Sequence, residues 1–395
     1  MKCKLADICT KIGSGATPRG GKEAYCDKGI SLVRSQNVLD FTFSHDGLVF
    51  INDEQATKLN NVEVFDEDVL LNITGDSVAR ACMMDSAFLP ARVNQHVAIV
   101  RGEKDLVLNR YLLYFLQWRK GHLLQLSSAG ATRNALTKGM IEQLEIDLPS
   151  LDEQKKIVAL LGGLDDKIEL NNKINENLEQ QAQAFYQELF INNADSEWQK
   201  GTISDLGAVV GGSTPSKSKP EYYTENGIPW ITPKDLSVNK AKFISHGEND
   251  ITELGLKNSS ATIMPEGTVL FSSRAPIGYI AISVGNVTTN QGFKSVVPKP
   301  EIGTAFVYYF LKHNLPVIEG MASGSTFKEV SGSVMKNVPE VIPDYETLAR
   351  FNDFCKPIFA QQQLLERQNR SLADLRNSIL PKLMSGEINV SGIDL

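Results

Sequence analysis

The segment Leu161-Gly-Gly-Leu164-Asp-Asp-Lys-Ile168-Glu-Leu-Asn171-Asn-Lys-Ile-Asn175-Glu-Asn-Leu178-Glu-Gln-Gln-Ala182-Gln-Ala-Phe185-Tyr-Gln-Glu-Leu189 carries a single stripe at 3-4 spacing. The stripe runs through Leu161, Leu164, Ile168, Asn171, Asn175, Leu178, Ala182, Phe185 and Leu189. Its period is that of a coiled-coil seam of about four heptads, too narrow for the face of a globular core. Shifted by 194 residues, the pattern returns as Cys355, Ile358, Gln362, Leu365, Asn369, Leu372, Arg376, Ile379 and Leu383. A helix with so narrow a stripe needs a partner, and the nearest is the other copy. Asn175 and Asn369 each stand at the midpoint of their own seam. In an antiparallel pair these two amides are expected to meet and set the register, as buried Asn does in coiled coils. Gly162-Gly163 and Pro357 weaken the helix starts, and Pro381 is expected to end or kink the second helix.

Outward from the seams, the whole chain repeats. Leu5-Ala-Asp-Ile8 matches Ile203-Ser-Asp-Leu206, and Gly15-Ala-Thr-Pro18 matches Gly212-Ser-Thr-Pro215. Val69-Leu-Leu71 lines up with Val269-Leu-Phe271, Asn94-Gln95 with Asn290-Gln291, and Tyr114-Phe-Leu116 with Tyr309-Phe-Leu311. Collinear matches over a full half identify a tandem duplication. Each copy opens with short β-prone runs punctuated by Gly, Asn, Asp and Pro, followed by an amphipathic helix near 109–126 or 304–321. The organisation is α+β: a mixed-sheet domain at 1–150, a long spacer helix at 151–196, a second domain at 197–343, and a second long helix with a tail at 344–395. The two helices are expected to pair as an antiparallel coiled coil, making the chain an intramolecular pseudo-dimer with pseudo-two-fold symmetry.

Composition limits the function without choosing it. The net charge of −7 falls mostly on 151–196, which carries 4 basic and 9 acidic side chains, whereas both globular segments are near neutral. A local basic face remains compatible with that balance. No apolar run is long enough to span a bilayer and no signal core follows Met1, so a cytoplasmic protein that does not enter a membrane is expected. Five scattered cysteines without C-x-x-C spacing, and five isolated histidines, predict neither disulfides nor a metal site.

The junctions between domain and helix carry a family signature. Gly130-Ala-Thr-Arg-Asn-Ala-Leu136 followed by Leu144-Glu-Ile-Asp-Leu-Pro-Ser-Leu-Asp-Glu-Gln-Lys-Lys-Ile157 resembles the end of a target recognition domain entering the first conserved helix of Type I restriction-modification specificity (S) subunits. Leu380-Pro-Lys-Leu-Met-Ser-Gly-Glu-Ile388 resembles the end of their second conserved helix. The second junction, Val338-Pro-Glu-Val-Ile-Pro-Asp-Tyr-Glu-Thr-Leu348, lacks the Glu153-Gln154 pair. The resemblance implies that each domain reads one half of a bipartite target in double-stranded DNA. It implies that the helix pair sets the gap and docks two modification (methyltransferase) subunits, to which restriction and translocase subunits are added. S-adenosylmethionine, ATP and magnesium are then expected on those partners, with no cofactor on this chain.

DNA contacts call for Arg or Lys toward phosphates and guanine, and Asn or Gln toward adenine, on loops or helix ends. The first domain offers Thr17, Arg19, Gln36, Asn37, Arg80, Asn94, Gln95, His96, Thr132 and Arg133. The second offers Thr214, Lys217, Thr232, Lys234, Arg274, Asn290, Gln291, Lys294, Thr326 and Lys328. Tyr222, Tyr223 and Trp230 are expected in the core, and Asp165-Asp166 on a solvated helix face. Catalytic motifs fail: Gly15 to Lys22 misses the phosphate-loop spacing, and there is no methyltransferase or nucleophile-elbow motif. A non-catalytic DNA-reading subunit is therefore expected; the alternative is a coiled-coil scaffold whose domains bind protein.

Overall fold

The computed structural model describes residues 1–18, 20–128, 134–324 and 328–393. It divides into two compact units, one formed by Met1–Glu169 with Arg370–Leu395 and the other by Leu170–Asn369. The first long helix runs over Leu151–Gln187 and the second over Tyr345–Met384, so each unit holds part of both.

In the first unit, Cys9–Ser14, Val97–Gly102, Val69–Asn72 and Ala81–Met83 form an antiparallel sheet in that order. A second sheet orders Val49–Ile51, Ile30–Val33, Ala91–Val93 and Glu63–Val64, with one parallel pair at its centre. Strand Val69–Asn72 is buried on both faces because Val69 and Leu71 join the helix-side core while Leu70 joins the core between the sheets. That two-sided burial explains its unbroken apolar run. Lys2–Lys4 pairs with Glu145–Asp147 and ties the two ends of the domain together just before the long helix. Helix Asn109–Trp118 packs Tyr111 through Leu116 into the helix-side core.

The second unit repeats the plan. One sheet orders Gly207–Gly211, Lys294–Pro298, Val269–Ser273, Ile277–Ser283 and Phe243–Ile244. Another orders Tyr223–Thr224, Asn249–Ile251, Ile228–Ile231 and Thr288–Thr289. Gln199–Thr202 pairs with Pro339–Ile342 as the equivalent tie. Where the sequence predicts one mixed sheet per domain, the structure has two sheets and a closing strand pair.

All eighteen seam positions are buried or half-buried. In the first unit, Ile157 and Leu161 share a core with Leu380, Leu383 and Met384. In the second, Ala182, Tyr186 and Leu189 share one with Leu348, Phe351 and Cys355. The start of one helix lies against the end of the other in each case, which is antiparallel pairing. Pro381 does not end the second helix: it continues to Met384, where Gly386 in the left-handed region (φ +77°) closes it. Burial of Leu380, Leu383 and Met384 offsets the hydrogen bond that the proline removes.

The helices are anchored to their domains by buried amides. Ser150 and Glu153 form a reciprocal cap, with bonds of 3.0 and 3.3 Å. Gln154, fully buried, donates to the carbonyls of Leu106 (3.0 Å) and Pro149 (3.1 Å) and accepts from the Leu108 N–H (3.0 Å). At the second junction, where that pair is missing, Asp344 accepts from the Thr347 N–H at 2.8 Å. Asn352, about one turn further on, donates to Ile302 O at 2.8 Å, the counterpart of Leu106 O. A different residue restores the same tie.

The predicted Asn175–Asn369 pair is not formed. Asn369 accepts from Asn171 Nδ2 at 2.8 Å and donates to Asn172 Oδ1 at 2.7 Å. Asn175 instead offers its backbone carbonyl to Gln362 Nε2 at 3.1 Å. The one-turn displacement has a cause outside the seams. Lys242, which comes from the domain, bonds both Glu179 and Gln362, and so draws Gln362 level with the turn containing Glu179. Asn369 lies two turns beyond Gln362 and arrives beside Asn171. By the repeat offset, Leu365 stands where Asn171 stands in the other copy, and Asn175 is left with a buried, unpartnered Oδ1. Asn369→Leu is therefore expected to cost about 1–3 kcal/mol in denaturant unfolding, and Asn175→Leu to be neutral or stabilising. Equal losses would contradict this register.

Candidate nucleic-acid interface

Both units carry the same polar latch. Thr17 donates its hydroxyl to Gln95 Oε1, and Thr214 does the same to Gln291 Oε1. The glycine that precedes each threonine by two is there because the loops nearly touch. A Cβ at Gly15 would strike the Val93 carbonyl, and one at Gly212 the carbonyls of Thr289 and Asn290. Gly15 N–H donates to Asn94 O (3.1 Å) and Ser213 N–H to Thr289 O (2.9 Å), stitching the loops along the backbone.

In the first unit the latch extends as an uncharged chain. Gln95 Nε2 lies 3.0 Å from His96 Nε2, and His96 Nδ1 lies 2.6 Å from Thr74 Oγ1. An amide nitrogen can only donate, so His96 accepts through Nε2 and carries its proton on Nδ1. Thr17, Gln95, His96 and Thr74 thus form one directed file of hydrogen bonds. Asn94 lies beneath it, 4% exposed, with its Oδ1 taken by the His96 N–H at 2.9 Å.

In the second unit the extension is charged. Glu329 holds Arg274 through Oε2 (3.4 Å) and Lys294 through Oε1 (3.5 Å), and Lys294 also reaches Gln291 O (3.5 Å). The loop beside it is braced by aromatics: Trp230 Nε1 donates to Ser213 O (3.0 Å), and the Tyr223 hydroxyl to Pro215 O (2.6 Å). Tyr222 and Trp230 are buried, as expected, and Tyr223 is half-buried.

The remaining candidates divide clearly. Asn37 is fully buried and spent on its own turn, accepting from the Arg34 N–H (3.1 Å) and donating to Ser44 O (2.9 Å). Thr232 caps a helix through Asp235 Oδ2 (2.7 Å), and Asn290 Oδ1 accepts from the Gly292 N–H (2.9 Å). Asn37, Asn94, Asn290 and Thr232 therefore shape loops rather than present free edges, because their side chains satisfy local backbone or caps. Gln36 is exposed but belongs to a separate loop, bonding Asp46 O at 3.1 Å. Arg80 is half-exposed in the turn after Val69–Asn72, and Lys217 and Lys328 are exposed. Lys234 pairs with Glu248 at 2.6 Å. Arg19, Thr132, Arg133 and Thr326 lie outside the described residues.

The sequence reading missed the carboxylates that dock each domain on the helices. Asp165 is not on a solvated face: it accepts from the Tyr114 hydroxyl (2.7 Å) and pairs with Arg376 (2.6 Å), which stacks on Phe41 (3.6 Å). In the second unit Glu179 accepts from the equivalent Tyr309 (2.9 Å) and pairs with Lys242 and with Lys312 (2.6 Å). The matched tyrosines were legible in the repeat. Their acidic partners were not, since Asp165 and Glu179 stand at non-equivalent helix positions.

The family model for the Type I restriction modification DNA specificity domain matches residues 1–180 and again 195–377. The chain belongs to that family. The MjaIX specificity subunit of Methanocaldococcus jannaschii is 39% identical over 191 residues, covering 46% of this chain and 44% of that protein. The chain thus spans less than half the length of that relative. The HindI specificity subunit of Haemophilus influenzae is 23% identical over 374 residues, covering 75% of this chain and 81% of its own. The S subunit crystal structure from M. genitalium shares the fold, with a TM-score of 0.60 at 15% identity over 97% of this chain and 95% of that one. No helix among the described residues is long and apolar enough to cross a membrane. The two family matches fall one on each copy, and each includes its latch.

Burial pushes the Glu179 carboxyl up, but the Lys242 and Lys312 ammoniums outweigh it and hold it at about 2. A carboxylate depressed on folding contributes stability above its unfolded value near 4.5, and that stability is lost as pH falls through about 2. Glu179→Gln is expected to cost about 3–5 kcal/mol at neutral pH by removing the carboxylate paired with the buried Lys242 ammonium, which keeps its bonds to Gln362 and Tyr309. In unfolding measured across pH, the gap from the unsubstituted chain should narrow between 4.5 and 2. A gap independent of pH would refute the pairing.

Proposed function

We propose that this chain is the non-catalytic DNA sequence-recognition subunit of a Type I restriction-modification complex, each domain reading one half of a bipartite duplex target. The observation that carries this reading is the latch found twice, at matching loops, with different polar groups built onto it in each copy. A duplicated frame with divergent extensions suits recognition of two unlike half-sites, since frame and readout are separate tasks. The candidates grouped there, Gln95, His96 and Thr17 against Gln291, Arg274 and Lys294, are the residue types that bond base edges and phosphates. Near-neutral domains fit contacts confined to one face.

On the same reading, the helix pair spaces the half-sites and docks two modification subunits, to which restriction and translocase subunits are added. Methyl transfer, with S-adenosylmethionine, and ATP- and magnesium-dependent steps then belong to those partners. A seam of 28 steps at about 1.5 Å per residue spans ~42 Å, on the order of twelve base pairs.

Two measurements test this. Binding of the full chain with its modification partner to duplex DNA should weaken steeply with salt, as phosphate neutralisation requires. Binding indifferent to salt would favour a protein-binding scaffold. Inserting one matched heptad in each helix should lengthen the pair by ~10 Å and widen the methylated target's gap by about three base pairs. An unchanged gap would overturn the spacer role.

A further inference from the structure

Backbone pairing aligns the two interfaces residue by residue. Leu136 N–H bonds Ile73 O (2.8 Å) where Val330 N–H bonds Ser273 O (3.0 Å), so Arg274 occupies the place of Thr74 and Glu329 that of Ala135. Ala98 pairs with Ser14 where Lys294 pairs with Gly211, so Lys294 replaces Ala98. Three uncharged positions of the first copy have become a charged triad in the second, beside an unchanged latch. Packing does not require the change, since the first copy builds the same strands with Thr and Ala.

From this we infer that Glu329 is a specificity-determining residue of the second domain, holding Arg274 and Lys294 so that a guanine edge releases the arginine and unspecific DNA does not. The inference rests on the DNA-reading role proposed above. Its chemistry follows from the geometry of the triad. Each ion pair uses a single oxygen, at 3.4 and 3.5 Å, and Arg274 and Glu329 are both over a third exposed. Pairs of this kind are weak and exchangeable. Guanine offers O6 and N7 to the guanidinium as a bidentate acceptor, a better partner than one carboxylate oxygen. A phosphate can also accept two hydrogen bonds from the guanidinium, but it is an anion and the Glu329 carboxylate repels it, whereas the guanine edge is neutral. With Glu329 in place the triad carries one net positive charge instead of two, which lowers attraction to any duplex while leaving the guanine contact available. A carboxylate there raises discrimination by penalising the wrong partner.

The test uses the full chain with its modification partner, unsubstituted and as Glu329→Gln, Glu329→Asp and Arg274→Ala, with a pool of duplexes of randomised sequence. Total binding across salt and the enriched sequences are both read. Glu329→Gln is expected to bind the pool roughly five-fold tighter, with a steeper salt dependence, and to lose enrichment for one G·C pair in one half of the motif only. Arg274→Ala should lose the same base preference without tighter pool binding, and Glu329→Asp, which keeps the charge, should retain most of it. Salt-dependent binding by the unsubstituted chain that Glu329→Gln leaves unaltered, in both strength and motif, overturns the role of Glu329 alone. An unsubstituted chain that shows no salt-dependent binding overturns the DNA-reading role, and this inference with it.

Discussion

A helix with a narrow apolar stripe on an otherwise polar surface cannot bury that stripe by folding on itself. Everything else in this chain is arranged around that constraint. Two such helices, supplied by duplication, pack antiparallel, so the start of each lies against the end of the other within a single unit. Each domain's core is then completed by pieces from two distant parts of the chain. Ile157 and Leu161 need Leu380 and Leu383, and Tyr186 and Leu189 need Phe351 and Cys355.

The polar attachments decide how those pieces are held. A buried amide or carboxylate is costly unless fully paired, so each one specifies a geometry more sharply than an apolar contact does. Gln154 and Asn352 reach equivalent loop carbonyls, Leu106 O in one unit and Ile302 O in the other, from different turns. Asp165 and Glu179 meet equivalent tyrosines with cations drawn from different places, Arg376 of the second helix in one unit and Lys242 and Lys312 of the domain in the other. After duplication the requirement persisted while the residues meeting it drifted. The interface loops show the same division: the Thr–Gln latch is kept, and what extends from it is uncharged in one copy and charged in the other.

The sequence by itself determined the duplication, the α+β character of each half, the antiparallel helix pairing and the loops that carry the latch. These follow from periodicity and from collinear matches, which depend on residues near one another in the chain or repeated along it. It also identified Gln95, His96, Gln291, Arg274 and Lys294 as interface candidates, from their residue types and from polar residues recurring near the same loops, although Lys294 stands where the first copy has Ala98. Only the tertiary structure decided the helix register, since Lys242 from the domain positions Gln362 and so moves Asn369 from Asn175 to Asn171. Only the tertiary structure showed that Asn37, Asn94 and Asn290 serve their own loops, that Asp165 is paired, and that Glu329 stands between Arg274 and Lys294. The physical reason is common to all of these. A side chain's hydrogen-bond partner is set by which strand or helix end folds beside it, and a polar residue has the same letter whether it is spent on its own turn or left open to a ligand.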